Sequence, residues 1–227
     1  PPGITMSLYF IIFGTLIGKR IGEMEGFPYM EYIAPGLVMM SVITNSYGNV
    51  VGSFFNAKIQ GHIEELLVSP LSEISIVIGY LAGGIIRGLA VATVVTFIAL
   101  FFTQINIKHP LMTLFVIIMT AGVFSLAGLI NAIFAKKFDD IAVIPSFVLA
   151  PLTYLGGVFY TVSLLPEFWQ TLSRFNPILY MINSIRYSVI GISDVSIQNA
   201  LMMIVVFFIL LFATAVILLK KGIGIRQ

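Results

Sequence analysis

The sequence contains no cysteine, only two histidines and few charged residues, and each scarcity excludes a class of protein. Without cysteine there is no disulfide framework, no thiolate metal site and no thiol nucleophile. The two histidines, His62 and His109, are too few for a histidine-rich metal centre. Charged residues form 10% of the chain, whereas soluble domains carry about 25%, so the composition is that of a membrane protein. The net charge of +2 does not indicate a nucleic-acid partner.

Hydrophobic residues take the place of the missing charges and make up 59% of the chain. A transmembrane helix needs about 20 mostly apolar residues, and six runs reach or approach that length. They cover residues 1–18, 32–55, 74–102, 111–134, 141–160 and 200–219. We therefore predict an all-α integral membrane protein with six transmembrane helices in a single domain over residues 1–227. The opening letters, PPGITMSLYF, lack the charged start and cleavage site of a signal peptide, and we interpret the native N-terminal segment as missing.

The segment between the last two runs, residues 161–195, is too polar to span a membrane and too apolar for an ordinary loop. Pro166 can begin a short helix, and Asn176-Pro177 divides the segment in two. Pieces of roughly 10 to 14 residues have the length of re-entrant or interfacial helices. Three aromatic residues suited to the headgroup level occur along it: Trp169, Tyr180 and Tyr187. We expect a helical hairpin that dips into one leaflet.

The distribution of lysine and arginine indicates which side of the membrane is cytoplasmic. With six spans, the loops at 56–73 and 135–140 lie on the same side as the C-terminus. That side carries Lys58, Lys136, Lys137, Lys220, Lys221 and Arg226. The other side carries Lys19, Arg20, Lys108, Arg174 and Arg186, the last two in the hairpin. The positive-inside rule then places the C-terminus in the cytoplasm.

Small and polar residues recur within the spans, where they allow helices to pack closely in lipid. The second run carries one such stripe: Ser41, Asn45, Gly48, Asn49 and Gly52. Tight helix packing accounts for most stripes of this kind, and a transport pathway lined by Asn45 and Asn49 is the alternative. Pro145 and Pro151 in the fifth run predict kinks, which act as a hinge or are simply tolerated.

Arg87 is the ionisable residue deepest within an apolar run. An arginine at the bilayer centre costs about 2.5–3.5 kcal/mol on insertion scales, and all the acidic residues lie outside the predicted spans. One interpretation is that the third run exceeds the bilayer thickness and Arg87 reaches the cytoplasmic headgroups. The other is that Arg87 contacts an anionic lipid or a substrate group.

The stretch GHIEELLVSP, residues 61–70, interrupts the apolar sequence between the second and third runs. Apolar residues recur at helical spacing at Phe55, Ile59 and Ile63, so residues 54–68 are predicted to form an amphipathic surface helix. Its polar face carries Glu64 and Glu65 instead of lysines, which favours a basic protein partner over a lipid surface. An ordinary interfacial elbow is the alternative.

Reactive groups that could form an active site are few. The two histidines fall on opposite sides of the predicted topology, and no G-x-S-x-G elbow or intramembrane aspartate pair occurs. The stretch GTLIGKR, residues 14–20, resembles a phosphate-binding loop but is one residue short and ends an apolar run. We predict that the chain is not an enzyme, has no metal site and binds no ATP itself.

Three ordered motifs carry a family resemblance that covers essentially the whole chain. GHIEELLVSP resembles the cytoplasmic Glu-x-Leu-Leu-x-Ser/Thr-Pro segment of ABC-2 type permeases. FDDIAVIPSFVLAPLTYLGGVFYTVSLLP and NPILYMINSIRY resemble that family's later landmarks, in the same order and spacing. The chain is most similar to the bacterial inner-membrane transport permeases of the family, so the resemblance implies a type V exporter-like fold.

The resemblance also implies partners and residue roles. Two copies of such a permease pair with two separate nucleotide-binding ATPase subunits, which hold ATP and Mg, and export substrate from the cytoplasm. The ATPase-coupling residues would be Ile63, Glu64, Glu65, Leu66 and Leu67, with a second contact at Lys136, Lys137, Asp139 and Asp140. An outward-side hairpin closing the external exit would contain Asn176, Pro177, Tyr180 and Arg186. The family's amphipathic helix before the first span is not seen here.

Two other functions stay open at this stage. A channel or facilitator would need no ATPase, although no ring of charged residues for a pore is evident. A membrane-embedded enzyme is disfavoured by the missing catalytic groups. The scarcity of charges in the spans favours an amphipathic or lipid- or glycan-like cargo over a small ion, and the substrate itself is not specified.

Overall fold

The computed structural model of the chain describes residues 2–63, 65 and 69–224. Within those residues it contains eight helices of eight residues or more and one two-stranded antiparallel hairpin. The helices are α1 (Pro2–Ile21), α2 (Tyr29–Ile59), α3 (Glu73–Ala99), α4 (Pro110–Phe134), α5 (Phe138–Leu155), α6 (Glu167–Arg174), α7 (Pro177–Ile190) and α8 (Ile197–Lys221). The hairpin of β1 (Glu23–Met24) and β2 (Phe27–Pro28) joins α1 to α2.

Five of these helices, α1, α3, α4, α5 and α8, are long and apolar enough to cross a membrane. The sequence predicts six spans, and the helix that falls short is α2. At 31 residues and about 1.5 Å per residue it is long enough, but its serines, asparagines and glycines lower its hydropathy. It is also the central helix, packed against α3, α4 and α7, so much of its surface meets protein instead of lipid.

Glycines and small side chains bring the central helices into close contact. Gly128 of α4 lies against the backbone of α2, since a Cβ placed there would come 2.7 Å from the carbonyl oxygen of Tyr47. Gly84 and Gly88 of α3 accept the side chains of Ser125 and Ser46 from the neighbouring helices in the same way. These glycines of α3 and α4 therefore serve helix packing, whereas a Cβ at Gly48 or Gly52 of α2 would meet nothing within 4 Å.

The two ends of the bundle are defined by hydrogen bonds between helices that are not neighbours in the sequence. At one end, termed the inner end, the Lys58 ammonium near the end of α2 donates to the backbone carbonyls of Ile133 and Ala135 at the end of α4. At the opposite, outer end, the backbone N–H of His109 donates to the carbonyl of Ser188 in α7 at 2.8 Å. The end of α2 and the end of α4 thus lie together at the inner end.

Among the five candidate membrane spans, helix α5 is the least buried. Only 6% of its most apolar stretch is buried, and its backbone widens into a π-helix over Pro145–Leu149. Contacts fasten it near its two ends: the ring of Phe138 meets Phe55, and the carbonyl of Leu152 accepts a hydrogen bond from Asn176. The kinks predicted from Pro145 and Pro151 therefore fall in a helix with few lateral restraints.

Candidate functional site

One face of α2 is polar and is not covered by the rest of the chain over more than three helical turns. Its residues recur at helical spacing, so they share one side of the helix. They are exposed or half-exposed, and we term them the polar stripe: Thr44, Asn45, Gly48, Asn49, Gly52, Ser53 and Asn56. The large exposed side chains of α5 and α8 are instead apolar, such as Phe147 and Leu210. An uncovered polar surface inside an apolar bundle needs a polar neighbour.

Arg87 lies beside the polar stripe on α3. Gly83, one turn earlier, faces the Asn49 amide: a Cβ there would lie 3.8 Å from the Asn49 Nδ2 atom. Arg87 is exposed and lines a cavity of about 290 Å³ with the first residues of α1. It is close to the middle of α3, which runs from Glu73 to Ala99, and within the described residues it has no ion-pair partner.

These groups are hydrogen-bond donors and acceptors held at mid-helix depth. The Asn45 amide donates to the carbonyl of Ser41 at 2.9 Å, and the Ser53 hydroxyl donates to that of Asn49 at 2.7 Å. Bonds to their own helix lower the cost of these groups in the bilayer while leaving acceptor oxygens free. With the Arg87 guanidinium, the surface can bind a polar or anionic group.

At the inner end, the structure describes only part of the predicted coupling segment. Glu64, Leu66 and Leu67 lie outside the described residues. Glu65 is exposed, as a contact with another protein requires. Ile63 is only 2% exposed and belongs to the core cluster, so its apolar side chain packs within the bundle of this chain, and its role in coupling stays a prediction.

The predicted amphipathic helix over residues 54–68 is also interrupted. Helix α2 continues to Ile59, and Gly61 then adopts a left-handed backbone with φ of 77°. Because that conformation is costly for side chains other than glycine, the turn is fixed there, and the Gly61 N–H donates back to the carbonyl of Lys58. Phe55 is buried in the bundle, so the apolar spacing at this position belongs to helix α2.

The second predicted contact forms an exposed turn at the start of α5. The side chains of Lys136, Lys137, Asp139 and Asp140 are all exposed. The Asp140 carboxylate accepts hydrogen bonds from the backbone N–H groups of Lys136 and Lys137, at 2.8 and 2.9 Å. A carboxylate that caps the first turn of a helix fixes the shape of the turn. Asp139 and the two ammonium groups therefore project from a defined surface.

At the outer end, the predicted hairpin consists of α6 and α7, divided at Asn176-Pro177 as expected. Asn176 is the N-cap of α7: its Oδ1 atom accepts from the N–H of Ile178 at 3.0 Å, and its Nδ2 atom donates to the carbonyl of Leu152. The Tyr180 hydroxyl donates to the carbonyl of Arg174 at 2.7 Å, joining the two helices. On α6, Phe168 and Trp169 are exposed, in keeping with an interfacial helix.

Arg186, the remaining residue of the predicted hairpin, lies inside the protein and not on its surface. Its side chain is fully buried. The guanidinium donates to the carbonyl of Gly157 at 2.5 Å, stacks 4.0 Å above the ring of Tyr32, and lies 3.8 Å from the Asp194 carboxylate. It therefore connects the hairpin to the outer end of α5, to α2 and to the loop before α8.

The contacts of Lys58, Tyr32 and Asp194 are not evident from the sequence. All three act through long-range contacts, and helical periodicity carries no information on which residue of a distant helix will be opposite.

Within the described residues, no group of three His, Asp or Glu side chains could hold a metal ion.

Comparisons with known proteins identify the family of the chain. The ABC-2 type transporter family matches residues 2–190 of the chain. The inner membrane transport permease YadH of Escherichia coli K12 is 54% identical over 227 residues, which cover all of this chain and 89% of the relative. Nodulation protein J of Sinorhizobium fredii is 28% identical over 181 residues, covering 79% of this chain and 68% of the relative.

The resemblance seen in the three sequence motifs is therefore confirmed. The matched region contains α1 to α7 and therefore includes the inner-end contacts and the outer hairpin. Permeases of this kind have no catalytic activity of their own, because the ATPase is a separate subunit. The chain belongs to the ABC-2 type transporter family and is a multi-pass permease subunit of the bacterial inner membrane.

Proposed function

We propose that two copies of this permease, together with two ATPase subunits that hold ATP and Mg, form an exporter whose pathway is lined by the polar stripe. In this proposal residues 1–227 form a single domain in which α2 crosses the membrane as the sixth span. The observation that carries the proposal is the uncovered row from Thr44 to Asn56 on α2, which Gly83, one turn before Arg87, faces from α3. A second copy facing this row would enclose a polar passage.

The chemistry of the stripe indicates the class of cargo. Asn45 and Asn49 offer neutral hydrogen-bonding groups, and the Arg87 guanidinium offers a single positive charge. Around them the exposed surfaces are apolar. This combination suits an amphipathic, lipid- or glycan-like molecule with polar or anionic groups better than a small ion, which would need a ring of charge or carbonyls.

The position of Arg87 favours a contact with an anionic group over the interpretation that its side chain reaches the headgroups. About 14 residues at 1.5 Å each place it roughly 21 Å from the start of α3. An arginine side chain cannot cover most of that distance. We therefore favour the interpretation that Arg87 meets an anionic group of the cargo or of a lipid beside the pathway.

Copurification tests the proposal directly. The permease would be tagged, extracted gently from native membranes, and its partners identified by mass spectrometry with nucleotide and vanadate present. An ATPase subunit in roughly equal amount is the expected result. If no ATPase accompanies the permease under these trapping conditions, an ATPase-independent channel or facilitator is the better description.

The charge of the coupling segment provides a sharper test. We expect Glu64→Lys and Glu65→Lys to abolish stimulation of the ATPase, because each replaces a carboxylate facing basic groups with a like charge. Glu73→Gln, which alters a half-exposed carboxylate at the start of α3, serves as the control. Normal ATPase stimulation by both lysine variants would refute the assignment of residues 61–70 as the coupling segment.

A further inference from the structure

The inner ends of α2 and α4 are joined by a charged side chain. The Lys58 Nζ atom donates to the carbonyl oxygen of Ile133 at 2.7 Å and to that of Ala135 at 3.0 Å. Carbonyls in the last turn of a helix have no partner within it, and a cation there also interacts favourably with the helix dipole. We term these two hydrogen bonds the Lys58 bridge.

On the α4 side, the residues that join the Lys58 bridge to the second predicted ATPase contact are held in place by burial and by hydrogen bonds. Ala135 is only 2% exposed, and the next two residues are fixed by the Asp140 carboxylate. The ring of Phe138 meets that of Phe55 edge to face, with centroids 5.1 Å apart. The turn at residues 136–140 is therefore held against α2 by both a polar and an aromatic contact.

The α2 side of the bridge leads equally directly to the coupling segment. Helix α2 ends at Ile59, one residue after Lys58. The N–H of Gly61 donates to the Lys58 carbonyl at 3.2 Å, so the chain turns back over this residue before reaching Glu65. Lys58 thus makes contacts in both directions. Its backbone carbonyl accepts a hydrogen bond from Gly61 at the start of the coupling segment, and its side chain donates to the end of α4.

We propose that Lys58 is a positioning residue that makes the two predicted ATPase contacts, residues 61–70 and 136–140, move as one unit. Its ammonium is engaged with two carbonyls of its own chain and is not a contact for the partner. A displacement of the coupling segment is passed through the bridge to α4 and the start of α5. The role in coupling rests on the proposed function, whereas the bridge itself can be tested on the permease alone.

Hydrogen exchange on the purified permease tests the bridge. In Lys58→Met, we expect the backbone amides of residues 135–140 to exchange about tenfold faster, which corresponds to losing a hydrogen bond from a charged donor. Lys58→Arg should restore protection, because a guanidinium can also donate to both carbonyls. Lys220→Met, which removes an exposed lysine from the last turn of α8, should leave exchange unchanged. Unchanged protection in Lys58→Met would overturn the proposal.

A second variant keeps the test valid if Lys58→Met does not fold. Phe138→Leu removes the ring contact with Phe55 at an exposed position and should raise exchange over the same amides by a few fold. If neither Lys58→Met nor Phe138→Leu yields folded protein, Lys58→Gln is measured in the same way, and protection equal to the parent's in folded Lys58→Met or Lys58→Gln overturns the bridge.

Measurements on the complex with the ATPase separate positioning from binding. Lys58→Met should bind the ATPase with unchanged affinity and stimulate hydrolysis about tenfold less, with rescue by Lys58→Arg. Equal loss of affinity and stimulation would show that Lys58 is a direct contact instead. If the parent permease binds no ATPase, the proposed function fails, while the exchange experiment still decides on the bridge.

Discussion

Arg186 shows how much of the outer end depends on a single residue. It is the largest side chain that the fold buries completely, and its Nε and Nη1 atoms have no hydrogen-bond partner among the described residues. A buried cation is tolerated only when other interactions compensate for lost hydration. Here the carbonyl of Gly157, the ring of Tyr32 and the carboxylate of Asp194 do so.

We expect Arg186→Met to destabilise the permease by about 2–3 kcal/mol, because the carbonyl of Gly157 and the Asp194 carboxylate lose their charged partner. Trp169 is the sole tryptophan of the chain, so its fluorescence can follow unfolding of the outer hairpin in mixed micelles. Arg174→Met, at an exposed arginine of α6, is the matched control and should be neutral. Equal stability of the two variants would contradict this role for Arg186.

Tyr32 offers an independent check on the same cluster. Its hydroxyl is buried without a partner among the described residues, whereas its ring lies under the Arg186 guanidinium. Tyr32→Phe should therefore keep or slightly raise stability, while Tyr32→Leu should lower it by about 1–2 kcal/mol through loss of the cation–π contact. Denaturation followed at Trp169 would measure both. A destabilised Tyr32→Phe would show that the hydroxyl has a partner.

At the scale of elements, the apolar runs predict the bounds of several helices closely, but they do not predict which helices pack against each other. The run at 111–134 becomes α4, Pro110–Phe134, because a proline begins the helix and no proline interrupts it. Residues 54–68 were predicted as one surface helix, yet the left-handed Gly61 divides them. Periodicity alone could not separate the end of a transmembrane helix from the start of a surface one, since both carry apolar residues at the same spacing.

Gly128 lies in a contact between two helices, whereas Gly48 lies on an uncovered surface. A Cβ at Gly128 would lie 2.7 Å from the Tyr47 carbonyl oxygen, whereas a Cβ at Gly48 meets nothing within 4 Å. Gly128→Ala should therefore push α4 away from α2 and destabilise the fold by about 1–3 kcal/mol. Gly48→Ala should be neutral or slightly stabilising, because alanine favours helix. The free energy of unfolding of each variant decides, and equal effects would refute the assigned α2–α4 contact.

At the scale of the whole molecule, the sequence predicted class, membrane location and family, but not the arrangement of the polar groups. Asn45 and Asn49 were recognised as candidates for either packing or a pathway. Their spacing could not decide between the two, because both uses put polar residues on one helical face. The fold adds that Gly83 and Arg87 border the same face and that no other helix of the described chain covers it.

The absence of native cysteine makes the polar stripe directly testable. If the stripe lines an aqueous passage, Asn49→Cys should react with a membrane-impermeant, charged thiol reagent in the assembled transporter. Leu210→Cys, on the exposed apolar face of α8, should stay unreactive, because a thiol in hydrocarbon forms little thiolate. Reactivity at Asn49→Cys that changes between nucleotide-free and vanadate-trapped complexes would link the passage to the ATPase cycle. If Asn49→Cys is as inert as Leu210→Cys and instead forms a disulfide with a second copy, the stripe is a packing surface between permeases and the passage lies elsewhere.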